Sequence, residues 1–258
     1  MKAQNTLLIG NIVALVAVIT VNALANILPI NGMNTGQISN LYPSLFTPAG
    51  FTFSIWSIIY LLLIAFVFGQ FVIKDKPYFK ELSLWFLLSC LANASWILVW
   101  HYLFTTASVI VMLLLLYSLT RIVLLLQKDA MTRTEWFVIK LPFIFYLSWI
   151  CVATIANIST LLISLNWHGG FISEEYWTVT MIVVATLLGM FIAFTFKEPA
   201  FLLVLMWAFF GIYSRWVETE YELIANSARL ATVVSAVLFG KLLTDILKTS
   251  GSRSVKKL

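Results

Sequence analysis

The chain has 258 residues, of which 61% are hydrophobic, 15% aromatic and 10% charged. Soluble domains carry about 25% charged residues, so this composition excludes a soluble globular enzyme or binding module. The net charge of +5 does not point to a nucleic-acid partner, because the basic residues lie between apolar segments and at the C-terminus, where topology signals sit.

Apolar runs near the length that a bilayer core of about 30 Å asks of a helix recur eight times. They fall at roughly 7–28, 51–73, 83–102, 106–127, 139–164, 177–196, 200–217 and 227–247. The expected fold class is therefore all-α, a polytopic membrane helix bundle with eight transmembrane helices. In the first run, Ala23-Leu24-Ala25 resembles a signal-peptidase site. The run is longer than a signal core and only Lys2 precedes it, so it reads as a retained helix. Asn11, Asn22 and Asn26 share one of its faces. The loop that follows is uncharged from Pro29 to Phe53 and is broken by Asn34, Gly36, Pro43, Pro48 and Gly50.

Three spans carry aromatic stripes at helical spacing. The second holds Phe53, Trp56 and Tyr60; the third Ser89, Asn93, Trp96 and Trp100; the fifth Tyr146, Trp149, Ala153 and Asn157. An amide in lipid is costly unless paired, so these faces are expected to point into the bundle. There they either line a pocket or bond neighbouring helices. The expected ligand-binding residues are Trp56, Tyr60, Asn93, Trp96, Trp100, Tyr146, Trp149 and Asn157, under a lid that includes Pro43, Pro48 and Gly50. Trp85, Trp136, Trp167, Trp177 and Trp216 lie near span ends and read as an interfacial belt.

His168-Gly169-Gly170 marks a turn, and Pro199 suits the first position of the seventh helix. Ala185, Gly189 and Ala193, and then Thr232, Ala236 and Gly240, repeat at spacings of four. Small residues at that spacing allow close backbone approach, either within the chain or in a homodimer. Cys90 and Cys151 lie in apolar runs and read as buried thiols. His101 and His168 have no neighbouring carboxylate or thiolate in the sequence, so no metal site is expected. No intramembrane acid or base and no catalytic motif appears, so the chain is not expected to be an enzyme.

Charge orients the bundle. With the N-terminus inside, 14 of the 16 basic residues lie on inner segments and only Arg215 and Arg229 on outer ones. That bias places both termini in the cytoplasm and the first loop outside. The expected location is the bacterial cytoplasmic membrane.

The stripes resemble the TspO/translocator-protein family, the tryptophan-rich sensory proteins. The family's signature before its second helix is Pro-Ser, an aromatic, Pro-Pro and then Trp-x-x-Leu-Tyr. Pro43-Ser44, Pro48 and Trp56-Ser57-Ile58-Ile59-Tyr60 stand in those places. Its third helix carries Leu-Asn-x-x-Trp, matched by Ala92-Asn93-Ala94-Ser95-Trp96. Its fifth carries Pro-Tyr-x-x-Trp-x-x-Phe-Ala-Thr-x-x-Asn, matched without gaps from Phe145 to Asn157, with Phe145 for Pro and Val152 for Phe. Thr47 stands for the second Pro of the signature and Gly50 for a Trp. No Tyr followed by Arg or Lys comes after Asn157, so sterol binding is not implied.

The resemblance spans about residues 5–165. It implies a five-helix membrane domain, 1–165, extended by a three-helix membrane region with a basic tail, 166–258. It further implies an integral membrane receptor or sensor for a hydrophobic planar molecule, with porphyrin or haem as the ligand and no cofactor required. A secondary transporter of a hydrophobic small molecule is the runner-up. It lacks the coupling charges and internal repeat such proteins show.

Overall fold

A computed structural model describes residues 2–28, 30–167 and 169–255. Pro29, His168, Lys256 and Lys257, all used in the sequence reading, lie outside them. The regular elements among the described residues are helical. They are α1 (Lys2–Ile27), α2 (Thr35–Leu41), α3 (Ile55–Ile73), α4 (Phe79–His101), α5 (Thr105–Leu126), α6 (Arg133–Glu135), α7 (Leu141–Ser164), α8 (Glu174–Phe196), α9 (Ala200–Trp216) and α10 (Glu222–Val255). Single 3₁₀ turns occupy Ile30–Gly32 and Gly50–Ser54, and a π-helical stretch, Trp136–Lys140, joins α6 to α7.

Seven segments are long and apolar enough to cross a membrane: Gln4–Ile27, Gly50–Ile73, Phe79–His101, Thr105–Leu126, Arg133–Ser164, Glu174–Phe196 and Glu222–Lys248. The eighth expected span is α9, an apolar helix of 17 residues. At 1.5 Å per residue it reaches about 26 Å, short of a hydrocarbon core of about 30 Å. The chain is a multi-pass helical membrane protein. Its apolar surface agrees: Leu61, Phe68, Phe71 and Leu91 are all exposed, as side chains facing lipid should be.

The π stretch has a local cause in Pro142. That residue donates no N–H, and its ring crowds the carbonyl four residues back, at Val138. Widening the helix by one residue ahead of Pro142 relieves the clash without breaking the span.

The chain forms two compact units. One comprises Met1–Thr47 and Phe53–His168, the other Pro48–Thr52 and Gly169–Leu258. In the first, α4 packs on α1 and α5, while α7 packs on α5 and α3. Its core holds Phe66, Phe86 and Phe143, fully buried and edge to face at 4.8–6.0 Å between centroids. A polar knot ties three helices together. Asn11 Nδ2 donates to Gln70 Oε1 at 2.8 Å and to Ser83 Oγ at 3.1 Å.

In the second unit α9 packs against both α8 and α10. Its Phe201, Leu205, Ala208, Phe209 and Ile212 are almost fully buried. The small residues of α8 face it, since a Cβ on Gly189 would come within 2.0 Å of Leu205 Cδ1. The α8 stripe therefore serves packing within the chain. The α10 stripe differs, because a Cβ on Gly240 would meet open space.

Candidate functional site

The i, i+4 spacing of Trp56 and Tyr60 on α3 stacks the two rings, 5.5 Å apart and 22° from parallel. Tyr146 and Trp149 on α7 meet Trp56 edge to face, at 5.7 Å and 6.4 Å. Phe53 meets Trp149 the same way at 6.1 Å. All these separations lie in the favourable range for aromatic pairs. Tyr146 and Trp149 are buried, whereas Phe53, Trp56 and Tyr60 are half-buried. Trp56 is the hub of the cluster, and one edge of the cluster is open.

Two polar atoms of this cluster are buried without a hydrogen-bond partner among the described residues: Trp149 Nε1 and the Tyr60 hydroxyl. The Asn93 amide lies beside that hydroxyl.

The other expected site residues use their polar groups to hold helices together. Asn22 Nδ2 on α1 donates to Asn93 Oδ1 on α4 at 2.8 Å, and Asn93 Nδ2 donates to the Tyr146 hydroxyl on α7 at 2.7 Å. Trp96 stacks on Trp100 at 5.5 Å, 21° from parallel. Trp96 Nε1 donates to Asn157 Oδ1 at 3.1 Å, and Asn157 Nδ2 donates to Ser108 Oγ at 2.8 Å. Trp100 Nε1 reaches the Thr35 carbonyl at 3.4 Å. The eight residues thus fall into an aromatic cluster of Trp56, Tyr60, Tyr146 and Trp149 and a bracing set of Asn93, Trp96, Trp100 and Asn157. The Asn93–Tyr146 bond joins the two sets.

The first loop holds more structure than its glycines and prolines suggest. α2 starts in a capping box, with Asn34 Oδ1 accepting from Gln37 N and Gln37 Oε1 accepting from Asn34 N. Asn31 Nδ2 donates to the His101 carbonyl at 2.9 Å. The three lid residues divide between the two units. Pro43 belongs to the first unit, and Pro48 and Gly50 to the second.

In that second unit Ala49 N donates to the Gly211 carbonyl at 3.0 Å, and Trp207 Nε1 donates to the Thr52 carbonyl at 2.9 Å. Phe51 packs edge-on to Trp207 at 5.4 Å. Gly211 makes this fit, because a Cβ there would lie 2.0 Å from Thr52 Oγ1. Gly211 carried no signal in the sequence, and Trp207 stood out there as an indole within a span but without a partner. The one signal was that Trp207 lies deep in an apolar run without a polar stripe around it.

His101 is fully buried, and its Nδ1 lies 2.8 Å from the Ile97 carbonyl. A carbonyl only accepts, so Nδ1 carries the proton. His168 lies outside the described residues. Among the described residues no group of three His, Cys, Asp or Glu is placed to hold a metal ion.

A family model described as TSPO-like protein matches residues 7–241. The match runs past the five-helix region, through α8 and α9 and into α10. The chain matches no curated protein and no solved structure.

Proposed function

The chain belongs to the TSPO-like protein family, and from that premise we propose that it is a membrane receptor or sensor for a hydrophobic planar small molecule, porphyrin-like in shape. The carrying observation is the cluster around Trp56. Three aromatic residues of α3 and α7 meet that indole, yet it stays half-buried. A flat ligand enters beside Trp56 and replaces edge-to-face ring contacts with contacts of its own, at little cost in packing. The reading is one of binding, not of catalysis. Both termini face the cytoplasm and the first loop faces outward, following the 14-to-2 division of basic residues.

Saturable quenching of tryptophan fluorescence by protoporphyrin, in protein reconstituted into nanodiscs, tests the reading. Trp149→Ala should weaken that binding by about 1–3 kcal/mol, the usual cost of losing an aromatic wall. Unchanged affinity in folded Trp149→Ala protein removes the cluster from the site. Vectorial uptake of the porphyrin into proteoliposomes would make the protein a transporter instead.

A further inference from the structure

Arg229 stands inside the span Glu222–Lys248, about 10 Å along the axis from its first residue. The side chain is exposed, and so are its neighbours Leu230, Val233 and Val237. In a membrane span such a face looks at lipid. Arg121 pairs with Glu81, and Arg215 lies over the Trp216 ring. Arg229 has no ion pair and no side-chain hydrogen bond among the described residues. Its guanidinium stays charged in a protein. Cations within spans normally turn inward or pair, so one that faces lipid calls for an anion from the bilayer.

Asn226 sits one turn nearer the start of α10 on the same face, and Glu222 one turn beyond it. At about 100° per residue the three lie within about 60° of one another. All are exposed, and neither Asn226 nor Glu222 has a side-chain partner among the described residues. From the middle of the bilayer outward the order is cation, amide, acid. Side chains on a helix lean toward its N-terminus, here the membrane surface, so the guanidinium rises toward the level of Asn226. Glu218 and Glu220, exposed in the preceding turn, add negative charge above.

A phosphoethanolamine headgroup has the complementary order, with its phosphate nearest the acyl chains and its ammonium above. We propose that the Glu222–Asn226–Arg229 face of α10 binds one phospholipid of this class. The phosphate accepts from Arg229 and the Asn226 amide, and the ammonium donates to Glu222. Arginine suits the phosphate because its fork meets two oxygens at once. An anionic headgroup without an amine meets the same cation but is repelled by the acids above it. A choline headgroup carries the charge but no N–H for the carboxylate to accept. The same face continues through Val233 to Gly240, where a Cβ would meet open space, and that dip lets an acyl chain lie along the helix. The site belongs to the second unit and stands or falls apart from the aromatic cluster of the first.

Native mass spectrometry of the full chain in detergent tests it, with phosphatidylethanolamine and phosphatidylglycerol of identical acyl chains added together. Wild-type protein should retain the ethanolamine lipid about tenfold more than the glycerol lipid, the weight of one charge-assisted hydrogen bond. Phosphatidylcholine should fall between them. Arg229→Leu should lose the retained lipid. Glu222→Gln should keep lipid bound but bring the ethanolamine-to-glycerol ratio close to one, and Glu222→Lys should turn the preference toward the glycerol lipid. Both positions are exposed, so the substitutions leave the packing intact, and an unchanged circular dichroism spectrum checks this.

A wild-type ratio near one or a preference for the glycerol lipid overturns the inference, as does an ethanolamine preference that survives either Arg229→Leu or Glu222→Gln. A dimer that Arg229→Leu dissolves also overturns it, because a second copy of the chain then covers this face.

Discussion

Asn93 and Trp149 use their polar atoms in opposite ways. Asn93 accepts from Asn22 and donates to Tyr146, joining three helices through one amide. Replacing it with Leu keeps the volume, takes the donor from the buried Tyr146 hydroxyl and leaves Asn22 Nδ2 only the Val18 carbonyl. Asn93→Leu should therefore lose about 1–3 kcal/mol of stability, read as earlier thermal unfolding by circular dichroism in detergent. Trp149→Phe removes a donor that already lacks a partner, so the same experiment should find only the cost of the lost ring volume, about 1–2 kcal/mol. A wild-type melt for Asn93→Leu would deny the amide its bracing role. The aromatic hub was legible in the sequence, because spacings of three and four fix which rings share a face. The fates of the amides were not. Periodicity places Asn93 and Asn157 inside the bundle but says nothing of which partner waits there. Gln70, which accepts from Asn11, drew no notice as a lone amide in an apolar helix.

At the scale of elements, α9 and the Pro48–Thr52 segment fit through one missing side chain. Gly211→Ala drives a methyl group into Thr52 Oγ1 and should cost about 1–3 kcal/mol, as overpacking usually does. Gly240→Ala meets open space and should be neutral or stabilising by up to about 1 kcal/mol, the helix-propensity gain. Melting curves of the two variants side by side check this; equal effects would mean that the close approach at Gly211 is slack. The grip also bears on the proposed lid. Backbone bonds hold Ala49 and Thr52, so gating is expected from residues 31–47, with 48–52 protected throughout. Hydrogen exchange with and without saturating porphyrin would show this. Ligand-dependent exchange confined to 48–52 would reverse the assignment. The capping box of α2 stood open to view as Asn34 and Gln37, but seven uncharged residues gave no periodicity to attach it to. The pairing of Thr52 with Trp207 could not be read, since nothing local relates residues 155 apart.

At the scale of the whole molecule, the number of apolar segments was legible because bilayer thickness sets helix length. α9 was counted with the rest; at 17 residues it is the shortest of the eight apolar segments and lies at the lower end of the length a crossing needs. The sequence could not disclose that its flanks are packed by α8 and α10, since a helix sheltered by protein shows the same apolar composition as one in lipid. Reporter fusions test the proposed orientation. A C-terminal alkaline phosphatase should be inactive and a C-terminal green fluorescent protein bright; the opposite pair would place the tail outside. The membership of Pro48–Thr52 in the C-terminal unit has a further meaning in time. At roughly 5–20 residues per second, the ribosome reaches Trp207 about 8–30 s after Thr52. Through that interval the Ala49 amide and the Thr52 carbonyl lack their final partners, so assembly is completed from the end of the chain backwards. A chain stopped after residue 168 should be inserted but remain open to protease at 48–52, and co-expressed 169–258 should close it in trans. Protection in the truncated chain alone would show that the segment finds its place before α9 is made.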